Sequence, residues 1–134
     1  MPETEEMLQL FRAFYPQELS SRWATLLSLE PRRWSKIDPW KTWELLPSAS
    51  GELLEVSQNL NTLLHSLPFA RYAQAKAVAL HCGHSSPAIQ TVLLSDALCG
   101  EQAVFEGFIS IVPGKLGFSI NHDGGVCVLR KPGI

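Results

Sequence analysis

The sequence predicts an α+β fold in which a helical N-terminal two-thirds packs on a small C-terminal antiparallel β-meander. Before residue 104, apolar residues recur with helical spacing, and prolines separate the runs. After it come three short runs, residues 104–112, 116–121 and 126–130, which are separated by Pro-Gly and Asp-Gly turns. Helices followed by strands along a chain indicate an α+β domain rather than a doubly wound sheet.

Two helices are predicted at the N-terminus. The first covers residues 3–14, because its apolar side chains fall on one face: Met7, Leu10, Phe11 and Phe14. The second begins at Pro16, which suits the first position of a helix, and is closed by Pro31. Residues 31–47 read as an irregular connection with one short helical turn at 40–46.

A longer third helix is predicted from an N-cap at Ser50. Its apolar stripe would consist of Leu53, Val56, Leu60, Leu63, Leu64 and Leu67. Residues 69–82 fit either a helix, because they are rich in alanine, or a buried strand towards their end, and we prefer the helix. Another helix is predicted to begin at Ser86-Pro87, with one apolar face formed by Ile89, Val92, Leu93 and Ala97.

The whole chain, residues 1–134, is predicted to form a single domain, since its length matches that of one typical domain. A meander this short leaves strand edges open. We therefore expect residues 104–112 to be available for pairing with another chain, either as a homodimer or with a partner.

Composition narrows the class of protein. Hydrophobic residues make up 46% of the chain and charged residues 18%, which excludes a disordered protein. The net charge of −2 gives no reason to expect general attraction to nucleic acid or to an anionic membrane, and no apolar run is long enough to span one. Three cysteines without paired spacing, and the lack of a leader-like N-terminal pattern, predict free thiols and a cytoplasmic location.

The run His81-Cys82-Gly83-His84 is the best candidate for metal or nucleophilic chemistry, with further candidates in Cys99, His122 and Cys127. Its members are nearly adjacent, however, and no second pair has the spacing of a zinc knuckle. The run His122-Asp123-Gly124-Gly125 is better explained as a tight turn. The sequence therefore assigns no catalytic residue, metal or cofactor and does not favour an enzyme.

The connection after the second helix interleaves bases with tryptophans. Its candidate partner-binding residues are Arg32, Arg33, Trp34, Lys36, Trp40, Lys41 and Trp43. Three interpretations remain open. The tryptophans could anchor an irregular segment on the helices, the set could form a protein interface, or it could stack and neutralise nucleic acid. The acidic net charge makes nucleic acid the least favoured of these.

These observations predict a small protein-binding module whose partner is another protein. Its closest functional types would be a toxin-neutralising immunity protein or an adaptor, acting by steric occlusion of the partner. The first alternative is a metal-dependent or cysteine-based enzyme that uses residues 81–84. The second is a nucleic-acid-binding module that uses residues 32–43.

Overall fold

The computed structural model describes residues 2–45, 51–54, 69–83, 86–99, 103–123 and 125–134. Its helices are α1 (Glu3–Phe14), α2 (Gln17–Leu27), α3 (Lys41–Leu45) and α4 (Leu94–Cys99), with 3₁₀ helices at Pro31–Lys36 and Phe69–Tyr72. Its strands are β1 (Gly51–Leu54), β2 (Lys76–His81), β3 (Ala88–Leu93), β4 (Gly107–Val112), β5 (Leu116–Ile120) and β6 (Val126–Arg130). The described strands form one antiparallel sheet in the order β1-β6-β5-β4-β2-β3.

The predicted α+β class is confirmed, and so are several of its elements. Helices α1 and α2 lie where the apolar periodicity predicts them, and α3 falls inside the short turn expected at residues 40–46. Strands β4, β5 and β6 form the predicted meander, although β4 begins at Gly107 rather than at Val104. These elements have strong local signals, which explains why the sequence is sufficient to find them.

The sheet is covered on both faces. One face packs Leu80, Phe108 and Leu129 against α1, α2 and the first 3₁₀ helix. An aromatic group forms the centre of this layer, in which the Phe11 ring lies 4.9 Å from that of Phe108 and 4.8 Å from that of Trp23. The other face packs side chains of β2, β4, β5 and β6 against Phe69 and α4.

Helix α1 lies close to the sheet at Gly117 in β5. A Cβ atom built on Gly117 would lie 2.8 Å from Leu10 Cδ1 and would also meet the Ile109 carbonyl oxygen. Leu10 is fully buried. Glycine at this position therefore makes room for the helix to rest directly on the strand.

The helix preferred for residues 69–82 is wrong, because this stretch contains the second 3₁₀ helix and strand β2. In β2, Ala77 and Ala79 pack on one face of the sheet, while Val78 and Leu80 pack on the other. A strand buried on both faces reads as a continuous apolar run, with no alternation to reveal it. Packing on both sides outweighs the helix propensity of alanine here.

The helix predicted to begin at Ser86-Pro87 is wrong over its first half. Residues 88–93 form β3, which pairs along its whole length with β2, and only residues 94–99 are helical. Ile89 and Val92, which the prediction puts on one helical face, pack against opposite faces of the sheet. Pairing with β2 is a long-range interaction that the local pattern does not contain.

The third helix is wrong at its start, because residues 51–54 form β1, which pairs with β6. The rest of its predicted stripe lies outside the described residues: Val56, Leu60, Leu63, Leu64 and Leu67. With β1, β2 and β3 all preceding residue 104, the N-terminal two-thirds is not purely helical.

The expected open edge at residues 104–112 is also wrong. Strand β4 lies inside the sheet, where it pairs with β2 on one side and β5 on the other. The strands at the two ends of the described sheet are β1 and β3. Two strands from the earlier part of the chain join beyond β4, which turns the predicted edge into an interior position.

Candidate functional site

The residues predicted to bind a partner lie on residues 31–45, which we call the connecting segment. Its inner side is buried, with Trp34 at 7%, Ile37 at 0% and Thr42 at 0% exposure. Trp34 packs in the core with α1 and α2, and its indole donates a hydrogen bond to the Leu29 carbonyl at 3.3 Å. The segment is therefore seated on the molecule by its own side chains.

A chain of hydroxyl groups joins the connecting segment to the sheet. Thr42 Oγ1 lies 2.7 Å from the Tyr15 hydroxyl and donates to Ser119 Oγ, also at 2.7 Å. Ser119 in turn donates to the Pro39 carbonyl at 3.4 Å. Since Thr42 uses its proton on Ser119, Tyr15 is the donor to Thr42. Burial raises the pKa of Tyr15 above its ordinary value, which keeps the phenol protonated and able to donate.

The outer side of the connecting segment carries two partly exposed indoles. The ring centroids of Trp40 and Trp43 lie 5.8 Å apart at an angle of 55°, and the Trp40 ring lies at the same centroid distance from His122. We call Trp40, Trp43 and His122 the aromatic patch. Asp38 Oδ1 accepts a hydrogen bond from the Trp40 backbone N–H at 3.0 Å, which fixes the start of this turn.

His122 links the aromatic patch to two carboxylates. The Trp40 indole N–H donates to His122 Nδ1 at 3.2 Å, and Glu106 Oε2 lies 3.5 Å from the same nitrogen. Asp123 Oδ1 lies 3.4 Å from His122 Nε2. Asn121 Oδ1 accepts from the backbone N–H groups of Asp123 and Gly125, so the turn predicted there is present and holds the imidazole in position.

Most bases of the connecting segment are paired with acids. Arg32 and Arg33 both lie within 4 Å of Glu30, at 3.1 and 3.8 Å, and Lys41 Nζ lies 3.1 Å from Glu44. Lys36 is exposed. With Glu106 and Asp123 beside the tryptophans, the surroundings of the patch are acidic. This charge balance repels phosphates and does not favour the nucleic-acid alternative.

The structure divides the predicted site residues into two groups. Trp34 lies in the core. The group with exposed or partly exposed side chains consists of Arg32, Arg33, Lys36, Trp40, Lys41 and Trp43. Of these, Trp43 also packs against the core cluster that contains Trp34. Sequence reasoning missed Thr42, Glu106 and the contact made by His122, because each acts through a partner that is distant in the chain. A signal existed only for His122, as a histidine in a polar turn.

Within the described part of the cluster at residues 81–83, Cys82 does not have the chemistry of a nucleophile. Cys82 is 1% exposed, and burial, together with the charges of Glu106 and Asp38, raises the pKa of its thiol. A nucleophilic cysteine requires the opposite shift. Burial lowers the pKa of His81, whose Nε2 lies 3.3 Å from the Gln90 amide nitrogen. His84 lies outside the described residues.

The other two thiols are similar in character. Burial raises the pKa of Cys127 to about 12, and it also raises the pKa of the more exposed Cys99. All three cysteines are free. In the described part of the chain, no group of three or more His, Cys, Asp or Glu side chains is arranged to hold a metal ion.

A separate shallow groove of about 320 Å³ lies between α1 and α2. It is lined by Arg12, Tyr15, Gln17, Ser20, Ser21 and Ala24. Its charged member, Arg12, lies 3.6 Å from Glu5. The Tyr15 hydroxyl is occupied by Thr42, so it is not free to bind a ligand in the groove.

Within the described residues, no helix combines the length and the apolar character needed to cross a membrane. Comparisons of the chain with protein-family models, with curated proteins and with solved structures find no match.

Proposed function

We propose that this protein is a protein-binding module that uses the outer side of the connecting segment to cover a surface of a protein partner. The observation that carries the proposal is the aromatic patch, in which two partly exposed indoles sit on a segment fixed from beneath by Trp34 and Thr42. Tryptophans on a rigid base lose little conformational freedom on binding, and they dominate the energies of many interfaces.

Phe105 is a further exposed aromatic side chain, next in the chain to a residue that contacts the patch. It is 72% exposed and directly precedes Glu106, whose carboxylate contacts His122 of the patch. The nearby acids favour a partner with a basic surface, since opposite charges accelerate association and fix its orientation. In its finer form, the proposal is a toxin-neutralising immunity protein, with an adaptor as the alternative. The free thiols support a reducing compartment such as the cytoplasm.

Parallel affinity captures from the native host would test the proposal. The bait proteins are the wild type, the double variant Trp40→Ala/Trp43→Ala and the control Leu29→Ala, which removes an exposed apolar side chain outside the patch. We expect one protein to be recovered at similar molar amounts with the wild type and the control. It should be lost at least about tenfold with the double variant.

The recovered protein is then purified and mixed with the wild type. Stoichiometric loss of an activity of the partner supports the immunity type, whereas stabilisation of the partner without such a loss supports an adaptor. If every recovered protein binds the double variant as well as the wild type, the connecting segment is not the interface and the proposal fails.

A further inference from the structure

The contacts of His122 define which of its nitrogens carries the proton. An indole N–H is a donor only, so Nδ1 must be an acceptor for the hydrogen bond from Trp40 at 3.2 Å. The proton of the neutral ring is then on Nε2, which faces Asp123 Oδ1 at 3.4 Å. The observed geometry is that of a neutral imidazole with one defined tautomer.

Protonation of the ring makes the Trp40 contact impossible. Nδ1 then carries a hydrogen and becomes a donor, so it faces the Trp40 N–H donor to donor. Glu106 Oε2, 3.5 Å from the same Nδ1, is in position to accept a hydrogen bond from the new N–H group. One atom therefore serves two exclusive partners, an indole when the ring is neutral and a carboxylate when it is charged.

Two carboxylates contact the His122 ring, and the connecting segment that carries Trp40 adds two further charged groups, Asp38 and Lys41. Glu106 precedes β4 and Asp123 lies in the same turn as His122, while Asp38 precedes Trp40 on the connecting segment. Lys41, on α3, is engaged with Glu44 at 3.1 Å. The charged groups in contact with the ring are therefore the carboxylates of Glu106 and Asp123.

We propose that protonation of His122 transfers its Nδ1 from Trp40 to Glu106, releases the indole and thereby weakens partner binding at the aromatic patch. The effect on binding rests on the proposed function, whereas the release of the indole does not. The contact with Trp40 is therefore made by the neutral ring and is lost when Nδ1 gains a hydrogen. Loss of one indole hydrogen bond predicts about three- to tenfold weaker binding at acid pH.

Heteronuclear NMR of the free full-length chain tests the release directly, from about pH 4.5 to about pH 8.5. The indole N–H resonance of Trp40 is assigned with Trp40→Phe, and the His122 ring resonances are followed in the same samples. We expect the Trp40 indole resonance and the His122 ring resonances to change with pH around one common midpoint. In His122→Ala, a substitution in an exposed turn, the indole resonance should stay at its released position throughout.

Two further variants sharpen the test. Glu106→Gln removes the carboxylate that accepts the hydrogen bond of the charged ring, so the midpoint of the Trp40 change should move to lower pH. His81→Ala, which alters a histidine that contacts Gln90, should leave the change as it is in the wild type. The proposal is overturned if the Trp40 resonance stays constant while His122 titrates, or if its change survives in His122→Ala.

The free protein reports the release of the indole without any partner. The Trp40 and His122 resonances could change together with pH while the captures recover no protein that depends on Trp40 and Trp43. This result would overturn the proposed function and leave the exchange at His122 standing. Conversely, a partner protein could be captured through Trp40 and Trp43 while the Trp40 resonance does not change with pH. This result would overturn only the exchange of His122 between Trp40 and Glu106.

Discussion

Both the inner and the outer side of the connecting segment make polar contacts with the rest of the molecule, but those of the inner side are buried and those of the outer side face solvent. On the inner side, Thr42 and Ser119 are 0% exposed, and their hydroxyls bond only to other protein groups. On the outer side, the side chains of His122 and Asp123 are 49% and 66% exposed. A buried hydrogen bond is costly to break because no water replaces the lost partner, whereas an exposed one exchanges with solvent at little cost.

This difference separates the two tasks of the segment. The position of the segment depends on the buried hydrogen bonds of its inner side, which pH and partner binding hardly alter. The contacts of its outer side are free to rearrange with pH or when a partner binds. The variants below test the separation through the free energy of unfolding, measured by urea denaturation.

Trp34→Ala should have the largest effect. It removes a buried indole from the inner side, and such truncations cost about 3–5 kcal/mol through lost burial and the cavity left behind. Trp40→Ala on the outer side is the matched control and should cost less than about 1 kcal/mol. If Trp34→Ala is too unstable to purify, Trp34→Phe should still rank above the control. Equal losses in the free energy of unfolding for the Trp34 and Trp40 variants would show that the two indoles contribute equally to stability.

Thr42→Val should cost about 2–3 kcal/mol, because it keeps the shape of the side chain but leaves the Tyr15 and Ser119 hydroxyls without their partner. Thr25→Val is the control. It removes an exposed hydroxyl that bonds to the Ser21 carbonyl on α2, so its effect should stay within about 0.5 kcal/mol. A neutral Thr42→Val would mean that the hydroxyl chain does not hold the segment.

Tyr15→Phe should cost about 1 kcal/mol at neutral pH and should change the response to alkali. The pKa of Tyr15 is raised in the folded protein, so above its ordinary value of 10.0 the unfolded chain loses this proton while the folded chain keeps it. Wild-type stability should therefore fall as pH rises beyond that value, by up to about 1.4 kcal/mol per pH unit from this group.

The raised pKa values of Cys82 and Cys127 act with the same sign, but they are present in both proteins. The difference between wild type and Tyr15→Phe therefore isolates the phenol. Denaturation curves at a series of alkaline pH values check this, and parallel curves for the two proteins would contradict a buried, protonated Tyr15.

His122→Ala should have the smallest effect, within about 0.5 kcal/mol, since the imidazole itself is half exposed to solvent, although its partner Glu106 is largely buried. The same denaturation measurement at neutral pH checks it. A loss above about 1 kcal/mol would show that the outer contacts also hold the segment in place, which would remove the proposed separation.

The sequence was sufficient for elements whose signal is local. Apolar periodicity located α1 and α2, and the turn residues located β5 and β6. It failed for β2, where Ala77 and Ala79 pack on one face of a strand whose other face is also buried, so that the apolar run resembles a helix. It also failed for β3, whose apolar residues Ile89 and Val92 have helical spacing. The pairing of β3 with β2 depends on contacts across a turn that local propensity does not encode.

The candidate site was predicted only as a stretch of chain. The alternation of bases and tryptophans marked the connecting segment, but nothing in it distinguished the buried Trp34 from the partly exposed Trp40. That distinction depends on which side of the segment meets α1, α2 and the sheet. The hydrogen bond between Trp40 and His122 joins residues 82 positions apart, so no local sequence pattern predicts it.

The pairing of β1 with β6 has a consequence for how the chain reaches its native state. Gly51 is aligned with Leu129, so one end of the sheet is completed by strands from the middle and the far end of the sequence. During synthesis β1 leaves the ribosome long before β6 has been made. It therefore remains without its β6 partner until that strand is synthesised. Closing so long a loop is entropically expensive before any contact offsets it, and native topologies of this kind fold slowly for their size. The protein is therefore expected to be most vulnerable to misassembly in the interval before its final strand joins the sheet.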